Sequence, residues 1–241
     1  MRIRWKRTIF AKAHSVMRMK IAILASQNGT NAQAIVEASH EGRLDAEVSV
    51  ILTNRPSAGV VDRAHRLGIP VEILPSKGVM NRAEYDSRVV ETLARYGVDT
   101  IALAGWMRIL SDVFLKAFEG RIINLHPALL PSFPGGTGID DAFSYGVKVA
   151  GCSVHLVNGI LDGGPIIIQA AVPVSGTRDS LEERIHRMEH LIFPQALQWM
   201  AEGRISCDGR TTTILPPTGP VELTEIVEGC LVCPPLERAG G

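Results

Sequence analysis

Residues 20–38 read KIAILASQNGTNAQAIVEA. Ile21 to Ala25 is an unbroken apolar run and Ser26-Gln27-Asn28-Gly29-Thr30 is a turn. Ala32, Ile35, Val36 and Ala38 then recur on one face of a helix. A strand apolar on both faces must be covered on both, which is the habit of parallel rather than half-exposed antiparallel sheets. The unit repeats outward. Val48 to Leu52 is a second such strand, ended by Asn54-Arg55-Pro56, with a short helix after it through Val60, Ala64 and Leu67. Val71 to Leu74 is a third. Tyr85, Val89, Leu93 and Tyr96 fall at helical spacing within Asn81 to Tyr96. Thr100 to Ala104 is a buried strand, Ser111 to Phe118 a brief helix, and Ile122-Ile123 the next strand. This alternation predicts an α/β fold, Rossmann-like and three-layered, with a mostly parallel twisted sheet and helices on both faces.

After Gly135 the rhythm changes. Val149 to Val157 and Ile166 to Val174 are strand-like runs separated by a Gly-rich segment around Asp162-Gly163-Gly164-Pro165. That connection is too short for a crossover helix, so an antiparallel C-terminal portion is predicted. A long helix should start near Ser180, where Ser180-x-x-Glu183 reads as a capping box. Leu181, Ile185, Met188, Ile192 and Trp199 mark its buried face, and Pro194 is expected to kink it. The simplest division is one domain over residues 20–219. A basic, acid-free extension covers residues 1–19 and reads as a disordered tail, or as an upstream start ahead of Met17 or Met19. Beyond Arg204 the Thr- and Pro-rich stretch reads as an irregular ending, and residues 220–241 as a loose tail. Cys230-Leu-Val-Cys233 in that tail is a lone pair that cannot complete a four-ligand zinc site, so no metal is expected.

Composition excludes several classes. A 46% apolar and 21% charged chain of 241 residues is an ordinary globular protein. With 25 acids against 25 bases it carries no electrostatic footprint for nucleic acid. No apolar run approaches the roughly 20 residues that span a bilayer. Four unevenly placed cysteines argue against a secreted disulfide scaffold and for a reduced, cytoplasmic protein. Monomer and homodimer are equally compatible with the sequence.

In an open parallel sheet, ligands lie beyond the carboxyl ends of the strands. Four polar groups fall there: Ser26 to Asn31, Gly105 to Arg108, Asn124 with His126, and the Asp162 loop. In the stretch RIINLHPALLPSFPG from Arg121 to Gly135, Asn124 and His126 alternate with Leu125, so both point the same way from an extended backbone. Pro127, Pro131 and Pro134 stiffen the loop beyond them. An amide and an imidazole can both donate to a carbonyl oxygen as it becomes negative. A nearby carboxylate would favour the protonated imidazole and could take a proton from an attacking amine. That is equipment for acyl transfer without a covalent intermediate; a satisfied structural histidine and a simple turn aspartate are the plainer readings. The Gly29-Thr30-Asn31 turn opens a helix whose free N–H groups attract an anion. It matches neither the dinucleotide nor the Walker A pattern, which leaves a simple phosphate ester or an ordinary Asn-Gly turn with a Thr cap.

At these residues the sequence resembles the phosphoribosylglycinamide formyltransferases, the folate-dependent enzymes of purine synthesis. The signature is Asn124-Leu-His126-Pro-Ala-Leu-Leu-Pro-Ser-Phe-Pro-Gly135, with Ser153-Val-His155 and Asp162-Gly-Gly-Pro165, and the likeness spans about Lys20 to Gly219. The HPxLLP element recurs in relatives that formylate initiator methionyl-tRNA or hydrolyse formyltetrahydrofolate. The resemblance implies transfer of a formyl group from 10-formyltetrahydrofolate, a co-substrate, to the amine of glycinamide ribonucleotide. It implies Asn124, His126 and Asp162 as the catalytic trio, with His155 in support. For the ribonucleotide it implies Gly29, Thr30, Asn31, His186, Arg187, Met188 and Glu189, with Glu189 on a sugar hydroxyl. For the folate it implies Arg82, Met107, Arg108, Ile109, Leu110, Asn124, Asn158, Gly159, Ile160, Leu161 and Asp162, with main-chain groups of Arg108 and Leu110 on the pterin edge.

Three positions depart from the family pattern. Gln27 stands where a Gly is usual, Thr137 where a His is common, and Trp106 where Phe is usual, enlarging the expected folate wall. A formyltetrahydrofolate hydrolase would use the same trio, but the phosphate-type loop and the lack of an added regulatory domain before Lys20 speak against it. A tRNA formyltransferase would need a basic C-terminal domain, and the tail carries Glu222, Glu225 and Glu228. A non-catalytic phosphosugar-binding module would need the Gly29 loop but not the trio. A nicotinamide oxidoreductase would need the missing dinucleotide fingerprint.

Overall fold

A computed structural model of the chain describes residues 8–9, 18–78, 81–215 and 225–237. Its elements run β1 (Thr8–Ile9), β2 (Met19–Leu24), α1 (Thr30–His40), β3 (Ala46–Thr53), α2 (Val60–Leu67) and β4 (Val71–Ile73). They continue through α3 (Arg82–Ala94), β5 (Thr100–Leu103), α4 (Asp112–Ala117), β6 (Ile122–His126), α5 (Gly138–Tyr145) and β7 (Val149–Leu156). The chain closes with β8 (Ile166–Pro173), α6 (Arg178–Ala201), β9 (Ile205–Asp208), β10 (Thr211–Ile214), β11 (Glu225–Val227) and β12 (Cys230–Cys233).

The main sheet has the order β11-β12-β8-β7-β6-β5-β2-β3-β4. β4, β3, β2, β5 and β6 are parallel, and from β6 onward each neighbour pairs antiparallel. The reason lies in the strand run itself. Ile21, Ile23 and Ala25 enter one core layer with Ile35 and Val36 of α1 and Ile185 and Ile192 of α6. Ala22 and Leu24 enter the other, with Tyr85, Val89 and Leu93 of α3 and Phe114 of α4. Both faces are buried, as the unbroken apolar runs require. β3 and β5 flank β2 on opposite sides, so the order reverses at β2, and the crevice beyond the ends of β2 and β5 is the natural ligand position. Among the described residues no helix is long and apolar enough to cross a membrane.

Four expectations need correction. The cap of α6 is Thr177, whose Oγ1 accepts from the Ser180 N–H at 3.2 Å, so Ser180 sits in the first turn and is no capping box. The stretch after Arg204 is a hairpin: Thr211 pairs with Asp208 and Ile214 with Ile205 across a two-residue Gly209-Arg210 turn. β1 pairs with β9, which places Thr8–Ile9 in that small sheet instead of a disordered tail; residues 1–7 and 10–17 lie outside the described residues. Residues 225–233 are likewise no loose tail. β12 pairs with β8 and β11 with β12, extending the main sheet. Cys230 and Val232 are buried while Leu231 and Cys233 are exposed, the period of a strand with one wet face. Cys230 and Cys233 therefore point to opposite sides of β12. The helix α5 has no counterpart among the sequence expectations, since only Ile139 and Ala142 of its apolar side chains are buried.

The last described residues are pinned by Arg204. Its guanidinium grips both carboxylate oxygens of Glu237 at 2.6 Å, and Nε donates to Leu215 O at 2.6 Å. The Arg204 side chain is only 10% exposed, so these bonds are largely shielded from water. Arg204→Ala should lower the unfolding free energy in urea by about 1–3 kcal/mol. A loss below about 0.5 kcal/mol, the usual size for an ordinary surface change, would show that this clasp contributes nothing.

Candidate active site

Asn124 and His126 leave β6 on the same side, as alternation demands. The antiparallel register sets Asn124 opposite His155 and His126 opposite Ser153. His155 Nδ1 lies 2.9 Å from Leu156 O, and a carbonyl only accepts, so Nδ1 carries the proton. Nε2 is then an acceptor, and it takes a bond from Asn124 Nδ2 at 3.0 Å. Burial is the largest cause holding the His155 pKa below its usual value, opposed by the Leu156 carbonyl and Asp162. A neutral His155 thus fixes which end of the Asn124 amide is the donor, an assignment that follows from the hydrogen-bond network. One N–H of the Asn124 amide is left over.

His126 is held the other way. Its Nε2 donates to Phe133 O at 2.8 Å, which leaves Nδ1 facing Asp162 Oδ2 at 3.7 Å. Asp162 Oδ1 stands 3.8 Å from His155 Nε2, so one carboxylate sits between two imidazoles without a tight bond to either. Its firm partner is the Gly135 N–H at 2.8 Å. Asp162 has φ +48, a left-handed backbone that Asp tolerates better than most residues. Gly164 permits the approach of its loop: a Cβ there would lie 1.6 Å from Leu156 O.

The proline-rich loop after β6 is clamped by residues that sequence reasoning did not single out for this task. Ser153 Oγ donates to Ala128 O at 2.6 Å and accepts from Leu130 N at 3.1 Å and Gln169 Nε2 at 2.8 Å. Every bond this fully buried hydroxyl can make is made. The loop's carbonyl at Phe133 is thereby set for His126.

The loops after β2 and β5 form the opposite wall. Ser26 N donates to Gly105 O at 3.0 Å, and Ser26 Oγ accepts from Met107 N at 3.0 Å. Ser26 Oγ donates to Asn54 Oδ1 at 2.6 Å, and Asn54 Nδ2 to Ser76 Oγ at 3.0 Å, so three loops are tied side by side. Gly29 caps α1 in a left-handed conformation, φ +75, and a Cβ there would strike Val60 Cγ2 at 2.4 Å. Asn31 Nδ2 reaches Glu189 Oε2 at 2.8 Å, which joins this loop to α6.

Met107, Ile109, Ile160 and Leu161, expected as the folate wall, are 40%, 59%, 55% and 58% exposed. Apolar side chains of that exposure clustered beside polar groups mark a binding surface. The two pairs approach each other through the Gly135-Gly136 turn: Asp162 bonds Gly135, and Met107 Cε is 3.7 Å from where a Gly136 Cβ would be. Among the described residues, the main-chain groups of Arg108 and Leu110 make no hydrogen bond, which leaves an unsatisfied edge. The Arg108 guanidinium lies over the Tyr85 ring, 4.1 Å from its centroid, so its side chain is scaffold. Asn158 and Gly159 shape the Asp162 loop, with Asn158 Oδ1 accepting from Ile160 N at 2.9 Å.

Other expected residues are not brought in. Arg82 opens α3, exposed, and bonds none of the other site residues described. Met188 turns into the core, Arg187 faces Glu228 at 3.5 Å, and His186 is half-buried on α6. Of the helix segment only Glu189 bonds the Gly29 loop. Trp106 is a core residue packed with Tyr85 and Phe114 and not an exposed wall. Among the described residues no group of three His, Cys, Asp or Glu could hold a metal ion.

The profile of the family described as Formyl transferase matches residues 19–197. The chain belongs to the formyl transferase family. It is similar to the Bacillus subtilis phosphoribosylglycinamide formyltransferase, 41% identical over 181 residues, covering 74% of this chain and 93% of that protein. It is also 40% identical over 190 residues to the human trifunctional purine biosynthetic protein adenosine-3, covering 78% of this chain but only 19% of that much longer protein. A solved glycinamide ribonucleotide transformylase 1 from Symbiobacterium toebii superposes with TM-score 0.81 at 40% identity, over 86% of this chain and all (100%) of that one.

In this formyl transferase, Thr137, where the pattern has His, spends its hydroxyl on Asp141 Oδ2 at 2.8 Å. Glu189 is the buried acid of the site. Burial raises its pKa from 4.5 to about 7, and the Asn31 amide only partly offsets this. The folded state therefore binds more protons than the unfolded one between those values, so stability falls as pH rises through them. Relative to Glu189→Gln, the wild type should lose up to about 3 kcal/mol between pH 4.5 and pH 8, read from urea melts. A difference between the two proteins that does not change with pH would mean that Glu189 ionises as freely folded as unfolded.

Proposed function

We propose that this formyl transferase moves the formyl group of 10-formyltetrahydrofolate to the amine of 5-phosphoribosylglycinamide in de novo purine biosynthesis. The observation that carries the reading is the Asp162 carboxylate between two imidazoles, with an amide donor fixed beside it. The free cysteines fit a reducing cytoplasm. We take residues 20–219 as the unit that carries the chemistry, with β11 and β12 completing its sheet.

The amine attacks the formyl carbon and charge develops on the formyl oxygen. Asn124 offers the N–H that His155 does not use. His126 Nε2–H is engaged by Phe133, so this ring can donate toward the reaction only through Nδ1, which requires the imidazolium. The Asp162 carboxylate stands 3.7 Å from that nitrogen. Asp162 is also the base that accepts the proton lost by the amine. Collapse of the tetrahedral intermediate expels N10 of tetrahydrofolate, which takes up the proton that Asp162 received from the amine, so charge balances. Preorganised donors aimed at the developing oxyanion are the main source of acceleration.

The pterin edge would meet the unpaired main-chain groups of Arg108 and Leu110, with Met107, Ile109, Ile160 and Leu161 as apolar walls. The ribonucleotide would lie across Gly29, Thr30 and Asn31, with a sugar hydroxyl on Glu189 and the orphaned Asn31 Oδ1.

Purified protein with 10-formyltetrahydrofolate should turn over only when the ribonucleotide is present. Equal turnover without it would make the protein a hydrolase, and none with either would make it a binding module. His126→Ala should reduce kcat by about 10² or more, the scale of a lost oxyanion donor, while folate binding by fluorescence is retained. A near-normal rate would remove His126 from the mechanism.

A further inference from the structure

The loop from Ser26 to Asn31 contains no lysine or arginine. A phosphate monoester carries about −1.5 to −2 charges at neutral pH, and a helix N-terminus supplies only about half a positive charge. The seat at Gly29 and Thr30 therefore needs a cation from another element. Arg43 is paired with Glu41 at 2.6 Å and Arg187 with Glu228 at 3.5 Å, both exposed pairs. Arg63, on α2, is different. Its Nε donates to Asn28 O at 2.7 Å, and its Nη1 to Gln33 Oε1, one turn into α1. Gln33 is in turn oriented by Glu37, whose Oε1 accepts from Gln33 Nε2 at 2.7 Å. Among the described residues Arg63 makes no ion pair, and its guanidinium is half-buried.

Two of the five guanidinium N–H donors are accounted for, and three remain. Arg63, Thr30, Gln33 and His190 line one cavity of about 470 Å³ between α1, α2 and α6, which Glu37 and the Glu41-paired Arg43 also line. The His190 Nε2 at this cavity is buried and has no partner. Gly29 leaves α1 without a side-chain cap, so the first N–H groups of the helix are free beside it. We propose that Arg63 is the missing cation. It is a substrate-binding residue that recognises the phosphate monoester and sets the preference for a phosphorylated over a dephosphorylated amine. The proposal rests on the ribonucleotide reading of this site.

The plainer role for Arg63 is to pin the loop through Asn28. The two roles separate when the phosphate is removed from the substrate. kcat/KM is measured for phosphoribosylglycinamide and for its dephosphorylated riboside, with the wild type, Arg63→Gln and Arg63→Lys. Gln can still donate to a carbonyl but carries no charge. Arg63→Gln should lower kcat/KM for the ribonucleotide at least tenfold, mostly through KM. Its loss with the riboside should be at least fivefold smaller, and Arg63→Lys should recover part of the ribonucleotide loss. Equal losses with both substrates, or no loss, would overturn the assignment. Equilibrium binding of ribose 5-phosphate and inorganic phosphate reads the same seat without turnover. Affinity should fall at least fivefold in Arg63→Gln, and unchanged affinity, or no binding to the wild type, counts against Arg63. Should the wild type fail to formylate the ribonucleotide yet lose phosphate affinity in Arg63→Gln, the function falls and the phosphate seat stands.

Discussion

In the antiparallel pairing of β6 with β7, Asn124 lies opposite His155 and His126 opposite Ser153. A slip of one residue would turn each side chain of one strand to the other face and dissolve the site. The register is held by burial on both sides, with Ile123 and Leu125 beside Val154 and Leu156 in one core layer and Ile122 in the other. It gives each polar residue of β6 a neighbour with a separate task. His155 orients the amide of Asn124. Ser153 holds the following loop by Ala128 and Leu130, and so places the Phe133 carbonyl that orients His126. Both donors are thus set by main-chain carbonyls, Leu156 O and Phe133 O, which are among the least mobile acceptors a protein has.

The parallel half acts through the opposite device. There the strands need only end together, and the reversal of order at β2 opens the crevice. Short polar side chains then tie the loops to one another: Ser26 to Asn54 and Met107, and Asn54 to Ser76. The result is a wall of backbone whose free edges, at Arg108 and Leu110 and at the start of α1, face the crevice. In the proposed reaction the antiparallel half supplies the reacting side chains and the parallel half supplies main chain for recognition.

The parallel half was legible because burial on both faces forces long apolar runs, and turns between them carry Asn, Gly and Pro. Asn124, His126 and Asp162 could be picked out because polar groups at a strand end and in a glycine-flanked loop are conspicuous. The elements that escaped reading share a physical cause. The strands β9, β10 and β12 are four residues each with one wet face, so Thr211 to Ile214 and Cys230 to Cys233 look like irregular chain. Gly209, at the first central position of the two-residue turn, was the available hairpin signal. The roles of Ser153 and Gln169 depend on a loop more than 20 residues away in sequence, which no local pattern encodes. Arg63 is one cation on an amphipathic helix until its bond to Asn28 is seen. Trp106, which the resemblance set on the folate wall, is instead a buried residue of the core layer that holds Tyr85 and Phe114.

Two under-satisfied polar groups stand where the ribonucleotide is proposed to lie. Asn31 Oδ1 is buried without a partner, and Glu189 is fully enclosed with one amide for company. A buried carboxylate with a single donor is costly, and an unfilled acceptor adds about 1–3 kcal/mol. Packing alone would favour an apolar pair at positions 31 and 189, because α1 and α6 already share Ile35, Val36, Ile185 and Ile192. A hydroxylated ligand resolves the conflict. Its O–H groups can donate both to Asn31 Oδ1 and to the second oxygen of Glu189, and its arrival completes bonds that the fold by itself leaves unmade. Selectivity follows from the same asymmetry, for a ligand without those hydroxyls would seal the two groups from water and satisfy neither.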